Sequence, residues 1–271
     1  MEDEKTYDLS SIANARQERP QRIIILGRPK SGKSTFAAGF DSPVFLPIIR
    51  EEGIDSINVQ SFPVSETFAD VMGWLRTLCN NDHSYKTVII DSASAFQQLA
   101  WDECCRRNDG VDSIEKVGGG FSKGYTECLV EWIKIISALD YLRETFNIQP
   151  VIIGHTKMEK YNDPLCEPYT RYIFDVNKYA NELLTRWADG VLFIQRKTLV
   201  IHEDIGFDKT HDRAIDADDN DPYLYTHGRA AHPGGGRGEW RYLPYELPLN
   251  YGAFDSAMKT AKAKYDSLEK E

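Results

Sequence analysis

Long apolar runs are missing from this 271-residue chain. None approaches the ~18 residues that a membrane span requires, so no membrane partner is expected. Cysteine is sparse: Cys79, Cys104, Cys105, Cys128 and Cys166 include no C-x-x-C pair. That spacing implies neither a zinc site nor a dithiol redox motif, and it fits reduced thiols in a cytoplasmic compartment. The opening residues, MEDEKTYDLSS, are acidic and polar, so neither a signal peptide nor a transit peptide is expected. Positive charge is also in deficit. The formal net charge is −10, which argues against passive coating of DNA. A local basic groove is still permitted, because steering follows the distribution of charge rather than its total.

What the chain does have is a phosphate loop. Residues 27–35 read GRPKSGKST and contain G-x-x-x-x-G-K-[ST], from Gly27 through Gly32 and Lys33 to Ser34. The β-branched run Ile23-Ile24-Ile25-Leu26 precedes it, and residues 35–40 can start a helix. This strand–loop–helix aims backbone N–H groups and a helix N-terminus at phosphates, with Lys33 reaching the β/γ-phosphates and the Ser34 hydroxyl ligating Mg²⁺. The candidate nucleotide-binding set is Gly27, Arg28, Pro29, Lys30, Ser31, Gly32, Lys33, Ser34 and Thr35. A nucleoside triphosphate is the expected ligand.

Further along, 41% hydrophobic and 27% charged residues fit one globular α/β domain with insertions. Buried strands are predicted at 23–26, 44–46, 87–90 and 151–153, with two more at 191–194 and 198–202. Helices are predicted over 65–79 with Ser65 as N-cap, and over 96–107, 125–146, 181–187 and 250–270. The stripe of the 125–146 helix reads Leu129, Trp132, Ile133, Ile136 and Leu139. Short apolar strands alternating with helices predict a mainly parallel sheet covered on both faces. Residues 1–20 read as a flexible arm and 21–205 as the core. Residues 206–271 read as a loop-rich extension with some strand and a terminal helix packed on the core; within it, 206–239 is Asp-rich and then Gly-rich and reads as loop.

Other polar residues extend the chemistry. In KTVIID, a strand ending in Asp91 suits a carboxylate that holds the Mg²⁺ shell with Ser34. Ser92 follows it, so the catalytic base is not the adjacent residue. Glu51 and Glu52, beyond the second strand in LPIIREEGIDS, are the candidates to orient attacking water, with Glu51 preferred. His155 ends the strand VIIGH, where a polar side chain can sense the γ-phosphate.

The order of these segments resembles the RecA-type ATPase core. The match runs through GRPKSGKST, EEGIDSI, YKTVIIDSASAFQQLA, FSKGY, VIIGHTKMEKYNDP, RWADGVLF and RYLPYELPL. More closely it resembles phage-encoded RecA-like proteins of the Sak type, associated with single-strand annealing recombination. Where that family has a compact Asp-x-Glu-Gly-Gly after its second strand, this chain has Pro47-Ile48-Ile49-Arg50 before Glu51.

The resemblance implies a RecA-like P-loop NTPase fold and Mg²⁺-dependent ATP hydrolysis stimulated by single-stranded DNA, in a host-cell cytoplasm. It implies DNA-facing loops at 109–125, with Phe121, Lys123 and Tyr125, and at 156–172, with Lys157, Lys160, Tyr161, Tyr169, Arg171 and Tyr172. Cations there would meet phosphates while rings stack on bases. It also implies a homo-oligomer, ring or filament, in which Arg241 or Arg237 acts on a neighbour's nucleotide, and a single-strand DNA-binding protein as a further partner. A helicase, helicase loader or packaging motor shares the same core. A small-molecule kinase and a nucleotide-gated binding protein with negligible turnover stay open as well.

Overall fold

The computed structural model describes residues 8–9, 12, 17–51, 53–204, 210–216 and 221–268. Five parallel strands form the centre of the sheet: β1 (Ile23–Gly27), β2 (Pro43–Pro47), β4 (Thr87–Asp91), β5 (Gln149–Tyr161) and β7 (Gly190–Arg196). Their spatial order is β2-β4-β5-β1-β7. β5 therefore stands between the phosphate-loop strand and the strand that ends in Asp91. A short β3 (Gln60–Ser61) edges one side, parallel to β2. On the other side β10 (Pro222–Tyr225), β11 (Gly235–Gly236) and β12 (Glu246–Pro248) add antiparallel edges. All five residues of β1 and of β4 are buried, as expected of central parallel strands covered on both faces.

Alternation along the strands feeds two cores. Ile24 and Leu26 of β1, with Val88 and Ile90 of β4, face α2 (Phe68–Asn80), α3 (Ala93–Arg107), α5 (Leu129–Phe146) and α6 (Lys178–Trp187). Ile23 and Ile25, with Ile89, Val151 and Ile153, face α1 (Lys33–Ala37) and the terminal α7 (Tyr251–Leu268). A mostly parallel sheet with helices on both faces is the core of a P-loop NTPase.

Several local expectations need correction. The N-cap of α2 is Thr67, not Ser65: Thr67 and Asp70 form a reciprocal capping box, while Ser65 is held in a bridge to Ile48. The 125–146 helix is two helices, α4 (Lys123–Glu127) and α5, meeting at Cys128. Its Ile133 is exposed, and Ile135 takes the buried place instead, because the run Ile133-Lys134-Ile135-Ile136 satisfies two helical stripes equally. Residues 156–172 are largely a hairpin: β5 continues to Tyr161 and pairs antiparallel with β6 (Tyr169–Phe174). Within 206–239 lie β9 (Thr210–Asp216), paired with β8 (Thr198–Asp204), and also β10 and β11. The polar THDRAID carries no apolar alternation, so only its pairing marks it as a strand. Of the expected N-terminal arm, residues 17–20 are held to the body by the ion pairs Arg19–Glu144 and Glu18–Lys262.

The segment after residue 206 also builds the core. Trp240 is fully buried and packs on Gly190, at the start of β7; a Cβ at Gly190 would lie 2.0 Å from the Trp240 ring. Tyr251 and Phe254 of α7 pack, tilted or edge-on, against Phe36 of α1 and Phe40 just after it, with ring centroids 4.6–6.5 Å apart. Gly190→Ala is expected to destabilise by about 1–3 kcal/mol through overpacking. Gly73→Ala, within α2 and with nothing within 4 Å of its added carbon, is expected to stabilise by about 0.5–1 kcal/mol. Thermal melts of the two variants should move in opposite directions.

Candidate functional site

Gly27 ends β1 at the edge where the parallel strands finish, beside His155 on β5. A Cβ at Gly27 would stand 2.6 Å from Ser31 Oγ and 2.9 Å from the Ile194 carbonyl, so the first glycine of the motif is required by close packing. The loop then turns through left-handed Lys30 (φ 61°) and Gly32 (φ 92°) into α1, whose first residue is Lys33. Arg28, Pro29, Lys30 and Thr35 are exposed, whereas Ser31 and Lys33 are buried.

Lys33 is 5% exposed, and its ammonium donates to the carbonyls of Gly27 (3.2 Å) and Arg28 (2.9 Å) and to His155 Nδ1 (3.3 Å). Burial pulls its pKa down to about 8, against the opposing pull of Asp91 and Glu51. On its other nitrogen, His155 Nε2 meets Glu51 Oε1 at 2.9 Å. A neutral ring protonated at Nε2 satisfies both contacts at once. Glu51 Oε1 also accepts from Ser92 Oγ at 2.6 Å. Burial pushes the Glu51 carboxyl up, but the bonds from His155 and Ser92 and the nearby Lys33 outweigh it, leaving the group below its ordinary value. Ser34 Oγ donates to Asp91 Oδ2 at 2.6 Å, and burial raises the Asp91 pKa.

The structure thus brings Lys33, Ser34, Glu51, Asp91 and His155 together, with Glu52 outside the described residues. Ser92 and Ser94 are additions that sequence reasoning missed. Ser92 was noted only for what it is not, and Ser94 accepts the backbone N–H of His155 at 3.0 Å; no sequence signal marks either. The turn that carries Glu51 crosses close to Ser34, since a Cβ at Gly53 would lie 3.3 Å from its hydroxyl.

These residues fit a phosphate chain and its metal. Ser31 Oγ is buried in the loop without a hydrogen-bond partner. Lys33 turns back on its own loop's carbonyls, and Ser34 with Asp91 forms the oxygen pair that Mg²⁺ prefers.

The DNA-facing candidates are scattered over two elements. Phe121 is 96% exposed, on a backbone in which residues 118–122 all have positive φ. Lys123 starts α4 and is exposed, while Tyr125 packs edge-on against Trp101 at 5.6 Å. On the hairpin, Lys157 pairs with Asp175 at 3.1 Å and Lys160 is exposed. Arg171 lies 3.7 Å over the Tyr161 ring, and Tyr172 packs on Phe193. Arg241 and Arg237 flank Trp240 at the edge where the strands start, opposite the phosphate loop. Arg241 is exposed, whereas Arg237 pairs with Asp189.

A strand-borne phosphate loop, with a second carboxylate-ended strand two positions away, defines a P-loop nucleoside triphosphatase. A family model described as an AAA domain matches residues 19–237, most of the chain. The chain belongs to that family of nucleotide-binding P-loop ATPases. No curated protein matches it significantly. Among the described residues, no helix is long and apolar enough to cross a membrane.

The buried lysine has a measurable cost. Lys33→Met should raise the unfolding free energy of nucleotide-free protein at pH 7 by an amount on the order of 3 kcal/mol. Below pH 8 the wild-type ammonium is charged in the folded and unfolded chains alike, and the penalty is full. Between about 8 and its ordinary 10.5 the folded protein releases the proton first, so wild-type stability recovers as pH rises. Urea unfolding across that window should show the Met variant's advantage shrinking.

Proposed function

We propose that this chain is a Mg²⁺-dependent ATPase acting on single-stranded DNA, of the phage RecA-like type that supports annealing or strand exchange. The observation that carries the reading is a single strand. β5 sets His155 between Lys33 and Glu51, and from the next residue, Thr156, to Tyr161 it pairs with β6 in a hairpin that carries Lys157, Lys160, Tyr161, Arg171 and Tyr172. Nucleotide chemistry and an aromatic, basic surface thus share one rigid element.

The chemistry follows from the residues. The loop amides and Lys33 bind the β/γ-phosphates, and Ser34 and Asp91 would hold Mg²⁺, which supplies charge neutralisation when bound. Glu51, kept ionised by its partners, orients the attacking water. When Lys33 swings to the phosphates it leaves His155 Nδ1, and the change is felt at Glu51 through Nε2. The hairpin is coupled to the same residue, because the N–H of Asp175 donates to the His155 carbonyl at 2.9 Å.

Assembly fits this scheme. Arg241 stands at the opposite end of the sheet from the phosphate loop, so any nucleotide it served would be a neighbour's. A head-to-tail interface would bring the two edges together, and repeating it yields a ring or a filament.

The deciding experiment is ATP hydrolysis with and without single-stranded DNA, with Lys33→Ala as the blank. Lys33-dependent turnover that rises with DNA is expected. Glu51→Gln should lower kcat by about 10²–10⁴-fold while nucleotide binding persists. Turnover indifferent to DNA would remove the DNA half of the reading and leave the ATPase. Nucleotide binding without turnover would instead indicate a nucleotide-gated binding protein.

A further inference from the structure

A cavity of about 480 Å³ opens between the β5–β6 hairpin, α6 and the turn at residues 229–234. That volume lies in the range of small-ligand sites. Its floor is apolar, with Ile24 and Leu26 of β1, and its walls carry two guanidinium groups, Arg171 and Arg229. Arg171 lies 3.7 Å over the Tyr161 ring, which meets Tyr169 edge-on at 5.5 Å. Arg171 Nε is buried without an acceptor. Arg229 lies 3.6 Å over the ring of Tyr245. Among the described residues no carboxylate forms an ion pair with either arginine. Asp163, which also lines the cavity, accepts the backbone N–H of Leu165 at 2.9 Å.

The walls are held in place. His232 stacks on Phe193 at 4.7 Å and 12°, and burial lowers its pKa, keeping the ring neutral at pH 7. Its Nδ1–H donates to the Pro233 carbonyl (2.9 Å), and its Nε2 accepts from the Tyr245 hydroxyl (2.8 Å). The N–H of Tyr172 donates to the Ala231 carbonyl at 2.8 Å, tying the turn to the hairpin. Two planar cations, each fixed on an aromatic face and lacking an anion, are pre-organised for a phosphodiester. The half-buried rings of Tyr161 and Tyr169 beside them offer a surface for a base.

We propose that this cavity holds one nucleotide of a bound single strand, with its phosphate between Arg171 and Arg229 and its base against Tyr161 and Tyr169. The proposal rests on the single-stranded DNA reading above and adds Arg229, which lies outside both expected DNA loops. The probe is a fluorescently labelled oligothymidylate, titrated into full-length protein with a non-hydrolysable ATP analogue at several salt concentrations. Arg229→Gln is expected to weaken binding about 5–50-fold, and to reduce the slope of log affinity against log salt by about 0.7, the loss of one single-strand phosphate contact. Arg229→Lys should restore the slope. Lys160→Ala, on the hairpin but outside the cavity lining, serves as the comparison.

If wild type binds the strand and Lys160→Ala weakens it while Arg229→Gln and Arg171→Gln do not, the cavity assignment falls and the DNA reading stands. No binding by wild type overturns both. Displacement of the oligonucleotide by free thymidine monophosphate at equal nucleotide concentration would make the cavity a mononucleotide site and overturn the strand assignment.

Discussion

The chain of contacts from Lys33 through His155 to Glu51 is the constraint around which the site is arranged. A lysine ammonium taken out of water needs partners, and here it has two loop carbonyls and an imidazole nitrogen. The imidazole can accept from Lys33 only if its other nitrogen donates, and Glu51 is there to receive that proton's bond. The arrangement is satisfied but not comfortable, as the lowered pKa of Lys33 records. Phosphate oxygens relieve that tension, so the same burial that destabilises the free protein favours the nucleotide complex.

That chain exists because of strand order. With β5 between β1 and β4, Gly27 and Asp91 end their strands at one edge, and β5 carries His155 past Gly27 there. The turn after β2 then brings Glu51 over the same edge, where Ser92 secures it. Had β1 and β4 been neighbours, His155 of β5 would not stand beside the phosphate loop. The strand that carries His155 also extends past the site, into the β5–β6 hairpin.

The C-terminal segment supports the phosphate loop from behind. Leu249 approaches Gly32 so closely that a Cβ there would lie 2.8 Å away, and Tyr251 and Phe254 brace Phe36 and Phe40. Trp240 closes the opposite edge against Gly190. The C-terminal extension therefore packs against both ends of the central strands.

The phosphate loop, the buried strands and the α/β class were legible in the sequence because each is local. A run of β-branched residues, a G-x-x-x-x-G-K-S spacing and an acidic strand end act over a few adjacent residues. Glu51, Asp91 and His155 could be named as candidates because each polar residue follows an apolar strand. Their mutual contacts could not, since residues 41 to 122 positions apart meet only once strand order is set. The hairpin at 156–174 and the strand β9 that pairs with β8 were invisible for the same reason: polar strands are specified by partners, not by pattern. The choice between Ile133 and Ile135 belonged to the neighbouring helices, and the cavity between Arg171 and Arg229 to a turn 58 residues downstream. Local chemistry could be read residue by residue, whereas proximity across the chain came from packing alone.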